Sequence, residues 1–327
     1  MKAIVNTGPD RMEWLERPMP EPGTGQVRIR TAACAICATD LEMIRGWDRT
    51  GYPTVPGHEW AGTVDACGDG VEPEIEGIFC VGENVLRDGG EVGFEHPGGY
   101  AEYFLTEAEN LHALRGDLLP HAATLIEPLA VVVRGLRRLG PVEKAPTLVF
   151  GDGPIGLLMS LLLRQGENDE VAVVGGVEER LQVARDFGAE TTCDYRSLEG
   201  GVEGLRELLG GGFPVVIEAS GSPRAMQWAL ELACDQARLL VLGDYGEARA
   251  DFEWNTLLHR ELRLIGSNAS AGAWEDAVQW AGRLTGYLER MVTHRFPAES
   301  FEEALDAARH PERGVVKVVL EWGQGEA

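Results

Sequence analysis

Thr147-Leu148-Val149-Phe150-Gly151-Asp152-Gly153-Pro154-Ile155-Gly156 decides the fold. Four residues, three of them apolar, read as a buried strand, a G-x-G-x-x-G turn follows, and Ile155–Arg164 reads as the helix it opens. The first glycine allows the tight turn, and the second lets backbone approach a pyrophosphate. The third packs helix on strand, while the helix N-terminus offers amide donors and a positive dipole. Gly151, Gly153, Pro154, Ile155 and Gly156 are therefore candidate cofactor-binding residues.

Moving outward, Val171–Val174 is a short apolar strand and Glu178–Phe187 an amphipathic helix. Val215–Glu218, Ala225–Ala233 and Leu239–Leu242 continue the alternation. Such a rhythm predicts an α/β fold, a doubly wound parallel sheet of the Rossmann kind covered on both faces. Leu242, closing its strand, joins the candidate cofactor contacts. At the end of the second strand an NAD enzyme usually carries Asp or Glu to hold the ribose hydroxyls. Here the chain reads Val174-Gly175-Gly176-Val177, and Glu178 and Glu179 fall on the following helix. Gly175 leaves room for a 2′-phosphate, with Arg180, Arg196 or Tyr195 as contacts, which predicts NADP in preference to NAD.

Before residue 128 the chain is β-rich. Val27–Thr31 alternates, Gly62–Ala66 and Tyr100–Leu105 follow, and Pro and Gly punctuate the spaces between. A helix (Trp274–Leu284) and a strand (Val315–Leu320) close the chain and are too few to form a domain, so they are expected to return to the first one. The predicted domains are 1–127 with 267–327, and 128–266. Within the first lie Cys37-Ala38-Thr39-Asp40, Gly57-His58-Glu59 and Glu127-Pro128. A thiolate, an imidazole and a carboxylate are zinc ligands, and three protein ligands leave the fourth tetrahedral position open for chemistry. Cys34 and Cys37 form a C-x-x-C pair without the second close pair of a zinc ribbon, and Cys34 reads as a small buried residue.

The charge balance excludes several partners. Against 53 acidic residues stand 29 basic ones, a net charge of −24, and Lys2, Lys144 and Lys317 are the only lysines. Such a surface repels nucleic acid and anionic membranes. It suits a salt-rich cytoplasm equally with an arginine-biased genome. No apolar run approaches the roughly 20 residues that span a bilayer. No secretory signal is visible and six cysteines do not suggest a disulfide framework, so the expected location is cytoplasmic.

Taken together, Cys37–Asp40, Val55–Gly62, Gly98–Tyr103, Glu127–Val131, Gly151–Gly156 and Arg260–Ser267 resemble, in order, the zinc-dependent medium-chain dehydrogenases of the alcohol dehydrogenase superfamily. Glu127-Pro128-Leu129-Ala130 looks most like the branch acting on polyols, sorbitol, sugars and cyclitols. The resemblance implies a GroES-like catalytic domain beside the Rossmann domain, and one catalytic zinc on Cys37 and His58 with Glu59 and Glu127 at or near it. It implies Asp40 behind His58, Thr39 on the substrate hydroxyl, and a homodimer or homotetramer acting on a small-molecule alcohol. His96, Arg45 and Trp47 are candidates for the substrate cleft, and Lys317 for the cofactor phosphates. Two departures stand out. The stretch Cys80–Gly99 has a single cysteine, so no structural zinc is expected. Glu42 occupies the position where a relay histidine often stands, which leaves a carboxylate or water to pass the proton on. Rival readings are a threonine-type or simple alcohol dehydrogenase, a zinc-free quinone-reductase-like member, and a non-catalytic cofactor-binding sensor.

Overall fold

The computed structural model describes residues 1–47, 49–142, 144–168 and 170–323. Two compact units divide it. The first comprises Met1–Glu127, Ala271–Pro311 and the chain from Lys317, and the second Pro128–Ser270 with Glu312–Val316.

The second unit is built on a six-stranded parallel sheet. Across it run Thr191–Asp194, Val171–Gly175, Thr147–Phe150, Phe213–Glu218, Ala233–Val241 and Arg263–Gly266. Numbered along the chain, that is the order 3-2-1-4-5-6 of a doubly wound fold, whose ligand crevice lies outside the strand ends where the order reverses. Val149 pairs with Val173 on one side and Ile217 on the other, and all four residues of Thr147–Phe150 are buried. Helices such as Pro154–Gln165 and Pro223–Leu232 cover the sheet, with Leu148, Phe150, Val174, Leu205, Val216 and Ala229 in the core. Thr191–Asp194 escaped the sequence reading because it is short and only Cys193 in it is buried.

The first unit carries a seven-stranded sheet. Its spine is the eleven-residue strand Gln26–Ile36, which alternates in burial over its first half and is wholly buried from Ala33 to Ile36. This strand pairs antiparallel with Glu59–Cys67, Tyr103–Glu107 and Lys317–Glu321. The last of these pairs parallel with Val292–Pro297, a strand whose alternate exposed residues (Thr293, Arg295, Pro297) hid it from an apolar-run search. Register then fixes the site. Ala35 lies opposite both Glu59 and Val319, so the chain leaves the spine at Cys37 beside Gly57-His58 on one flank and Lys317 on the other.

Candidate metal and dinucleotide sites

Cys37 is the N-cap of the helix Ala38–Arg45, with extended backbone (φ −96°, ψ 156°) that turns its side chain out of the strand. Asp40, fully buried in the first turn of that helix, does three things. Its Oδ2 accepts from the Cys37 amide at 2.8 Å and from the Tyr100 hydroxyl at 3.3 Å, while Oδ1 lies 3.2 Å from His58 Nδ1. One carboxylate thus caps the helix that carries Cys37 and faces the ring of His58, where Oδ1 and Nδ1 lie close without a hydrogen bond between them. Asn84 anchors His58 by donating to its carbonyl at 2.9 Å.

Cys37, His58 and Glu59 offer one sulfur, one nitrogen and one oxygen that all lie within 4.8 Å of one another. This donor set fits zinc, which takes thiolate, imidazole and carboxylate together. The local field fits as well. Burial opposes a charge on His58, yet Asp40 and the Cys37 side chain outweigh it and hold the ring's pKa well above the usual histidine range. A pocket that favours positive charge between a carboxylate and a thiol suits a metal cation.

Glu59 is buried and clasped by Lys317, whose Nζ lies 2.9 and 2.7 Å from its two oxygens, and Lys317 is itself only 4% exposed. The ammonium expected at the cofactor phosphates is turned instead toward the carboxylate in the ligand group. Glu127, in the first turn of the helix Ile126–Leu139, stands outside the three-donor group. Burial pushes its carboxyl up to about 7, with Glu59 and Asp40 adding to the rise and His58 and Lys317 opposing it.

Thr39 lies beside the group, its hydroxyl oxygen 3.6 Å from Cys37 Sγ. Glu42 is exposed one helical turn further on, where i and i+3 side chains are neighbours. Trp47 is half-exposed and meets Phe94 edge-on, while Arg45 is exposed with no ring or ion contact to the site among the described residues. The sequence reading missed Phe94. Its ring stands 4.8 Å from that of His58, and the Arg49 guanidinium covers it at 4.5 Å while pairing with Glu91 and Glu95. His96 pairs with Asp88 at 2.9 Å and lines a cavity of about 250 Å³ with Met1, Arg17, Tyr103 and Leu105, none of which belongs to the ligand group.

In the second unit the fingerprint glycines are required by space. A Cβ on Gly151 would meet the Ala219 carbonyl at 2.8 Å, its φ is +116°, and a Cβ on Gly156 would meet the Gly151 carbonyl at 2.0 Å. Gly153 is the N-cap of the helix Pro154–Gln165, with Pro154 and Ile155 in its first turn. Glu218, another residue the sequence reading passed over, ends its strand buried and ties the next loop. It accepts from the Ser220 amide at 2.8 Å, from the Ser220 hydroxyl, and from the Gly221 amide at 3.2 Å. Leu242 follows the neighbouring strand and donates its amide to the Glu218 carbonyl.

The room expected at Gly175 is taken. The Asp152 carboxylate lies where a Gly175 side chain would be, and a Cβ on Gly176 would meet the Tyr195 ring at 2.7 Å. Arg180 donates through its guanidinium to the Val315 carbonyl, and Arg196 pairs with Asp194 at 3.0 Å. The strand end and the cations on which the expectation of NADP rested are thus engaged within the chain.

Comparison with known proteins identifies the family. Residues 23–116 match the alcohol dehydrogenase GroES-like domain, and residues 154–283 match the zinc-binding dehydrogenase family. An L-threonine 3-dehydrogenase of Saccharopolyspora erythraea is 30% identical, over 98% of this chain and 99% of the relative. Among solved structures, the Escherichia coli CFT073 short chain alcohol dehydrogenase RspB, complexed with NADH, superposes with a TM-score of 0.91 at 25% identity, over 98% of this chain and 99% of that one. Galactitol-1-phosphate dehydrogenase from Escherichia coli gives 0.87 at 26% identity, over 98% of this chain and all of that one. No helix among the described residues is long and apolar enough to cross a membrane. The chain belongs to the zinc-type medium-chain dehydrogenases of the alcohol dehydrogenase superfamily.

Proposed function

We propose that this protein interconverts a secondary alcohol and its ketone by hydride transfer to a nicotinamide dinucleotide, with a polyol, sugar or cyclitol as the alcohol. The observation that carries the reading is the convergence of Cys37, His58 and Glu59 within 4.8 Å in front of a buried Asp40. On this reading residues 1–127 and 267–327 are catalytic and 128–266 bind the dinucleotide. Cys37 and His58 hold one zinc, and Glu59 and Glu127 are the carboxylates at or near it. Zinc bound there would act as a Lewis acid that lowers the pKa of the substrate hydroxyl.

The remaining steps belong to the chain. Asp40 faces Nδ1 of His58, which leaves the opposite ring nitrogen to ligate. Thr39, beside Cys37, accepts the hydroxyl proton of the alcohol and passes it toward Glu42, the exposed carboxylate one turn along. Lys317 neutralises Glu59, which lets that carboxylate stay buried beside a thiolate. Phe94 and Trp47 give one wall of the site an apolar face against which the C–H face of a sugar or cyclitol packs. Arg49, already held by Glu91 and Glu95, is not available to a substrate phosphate.

An amino alcohol is the second reading, favoured by the 30% identical L-threonine 3-dehydrogenase. A panel of polyols, cyclitols and L-threonine, assayed with both dinucleotides, separates the two. Metal analysis is expected to find about one zinc per chain, and Cys37→Ser to abolish turnover while dinucleotide binding persists. No zinc would favour a quinone-reductase-like enzyme, and two would restore a structural site. The assembly is proposed to be a homodimer that pairs the open edge strand Arg263–Gly266, near which Leu264, Trp254 and Leu258 are exposed.

A further inference from the structure

The second unit holds a carboxylate where its sequence pattern shows none. Asp152 sits between the first two fingerprint glycines, and its side chain is 13% exposed. Its Oδ2 accepts from the Gly176 amide at 2.7 Å and the Val177 amide at 2.8 Å. Those amides follow the last residue of the strand Val171–Gly175. A Cβ built on Gly175 would lie 2.5 Å from both Cβ and Oδ2 of Asp152. The carboxylate of residue 152 therefore fills the volume that a side chain at the strand end would occupy.

That volume has a defined place in a doubly wound fold of this strand order. The carboxylate that reads the adenosine ribose comes from the end of the second strand, about 20 residues beyond the glycines. Here the strand end is Gly175, and the charge is delivered from the first strand's turn instead. With Oδ2 engaged by two amides, the carboxylate is fixed in direction and Oδ1 keeps its lone pairs. The cation nearest to it, Arg180, stands 4.0 Å from Oδ1 and directs its guanidinium to the Val315 carbonyl. Arg196 is taken by Asp194, and Tyr195 covers Gly176.

We propose that Asp152 is the residue that selects NAD over NADP, accepting a ribose hydroxyl on Oδ1 and repelling a 2′-phosphate from the space beside Gly175. The proposal rests on the nicotinamide-dinucleotide reading above. A diol donates to a carboxylate, whereas a phosphate brought to the same place meets like charge, with the Arg180 guanidinium there already ion-paired to Asp152 and donating to the Val315 carbonyl. Replacing the strand-end acid by glycine is then no sign of NADP use, because glycine is what lets Asp152 enter.

Fluorescence titration of the purified protein with NADH and with NADPH tests this. Wild type is expected to bind NADH at least roughly tenfold more tightly than NADPH. Asp152→Ala should lose most of that ratio, and Asp152→Asn, which keeps the shape and an acceptor oxygen, should lose it mainly by gaining NADPH affinity. Adding Gly175→Asp to Asp152→Gly, which removes the Cβ that would otherwise lie 2.5 Å away, should restore the ratio from the strand end. Far-UV circular dichroism and thermal melts identify any variant that does not fold, and the Asn variant then carries the test. An equal or tighter grip on NADPH by wild type overturns the proposal. So does an unchanged ratio in both single variants, since a mere tether of the loop would weaken the two dinucleotides in proportion. If neither dinucleotide binds wild type, the nicotinamide reading itself falls.

Discussion

Asp40 shows how one side chain can fix a site. Its Oδ2 accepts from the Cys37 amide and the Tyr100 hydroxyl while Oδ1 faces the His58 ring, so one carboxylate serves both the helix start and a ligand's surroundings. Lys317 and Glu59 are the opposite case, a pair in which each partner is costly without the other. Removing one charge of a buried pair leaves the second without compensation, at about 3–5 kcal/mol. Lys317→Met is therefore expected to lower stability by that order in chemical denaturation, with Lys317→Arg recovering part of it. A loss no larger than that of a surface lysine would show that Glu59 finds another partner. Cys37, His58 and Glu59 were legible in the sequence because their types and spacing are unusual. Lys317 as their counter-ion was not, because nothing local in Val315–Leu320 distinguishes a lysine facing a carboxylate from one facing solvent. Asp152 was hidden differently: a motif written G-x-G treats it as any residue, and only the packing at Gly175 exposes its reach.

At the scale of elements, the parallel strands were the most readable part. Thr147–Phe150 is buried on both faces, so it is apolar but for Thr147 and short, and a glycine turn marks its end. Two strands were harder, Val292–Pro297 of the first unit and Thr191–Asp194 of the second, since both carry too few apolar residues to stand out. The turn around Phe94 also gave no signal, yet it is pinned by Arg49 to Glu91 and Glu95. The Arg49 guanidinium holds the Glu95 carboxyl below the usual glutamate range. A carboxyl depressed in the fold contributes stability that is present above its unfolded pKa and lost as pH falls through the folded one. Arg49→Met should therefore melt below wild type at neutral pH, and the gap should close as pH falls below the ordinary glutamate range through the lowered carboxyl. A gap independent of pH would assign the effect to packing on Phe94.

The whole molecule carries −24 with three lysines. Much of that charge is solvent-facing, and at low ionic strength it works against the compact state, while added salt shortens its range to a few ångströms. The melting temperature is expected to rise between about 0.01 and 1 M NaCl, most steeply at the low end where the screening length changes most. A flat or falling response would mean that the acidic groups are already balanced by local arginine pairs such as Arg28–Asp65 and Arg87–Glu109.

Lys317 follows Glu59 by 258 positions. At the roughly 5–20 residues per second of synthesis, the carboxylate waits about 13–50 s on the ribosome before its cation exists. Through that interval the nascent first sheet lacks the strand that flanks Cys37, and Glu59 has no reason to leave water. The buried ion pair beside Cys37 and His58 can therefore close only once residue 317 has been made.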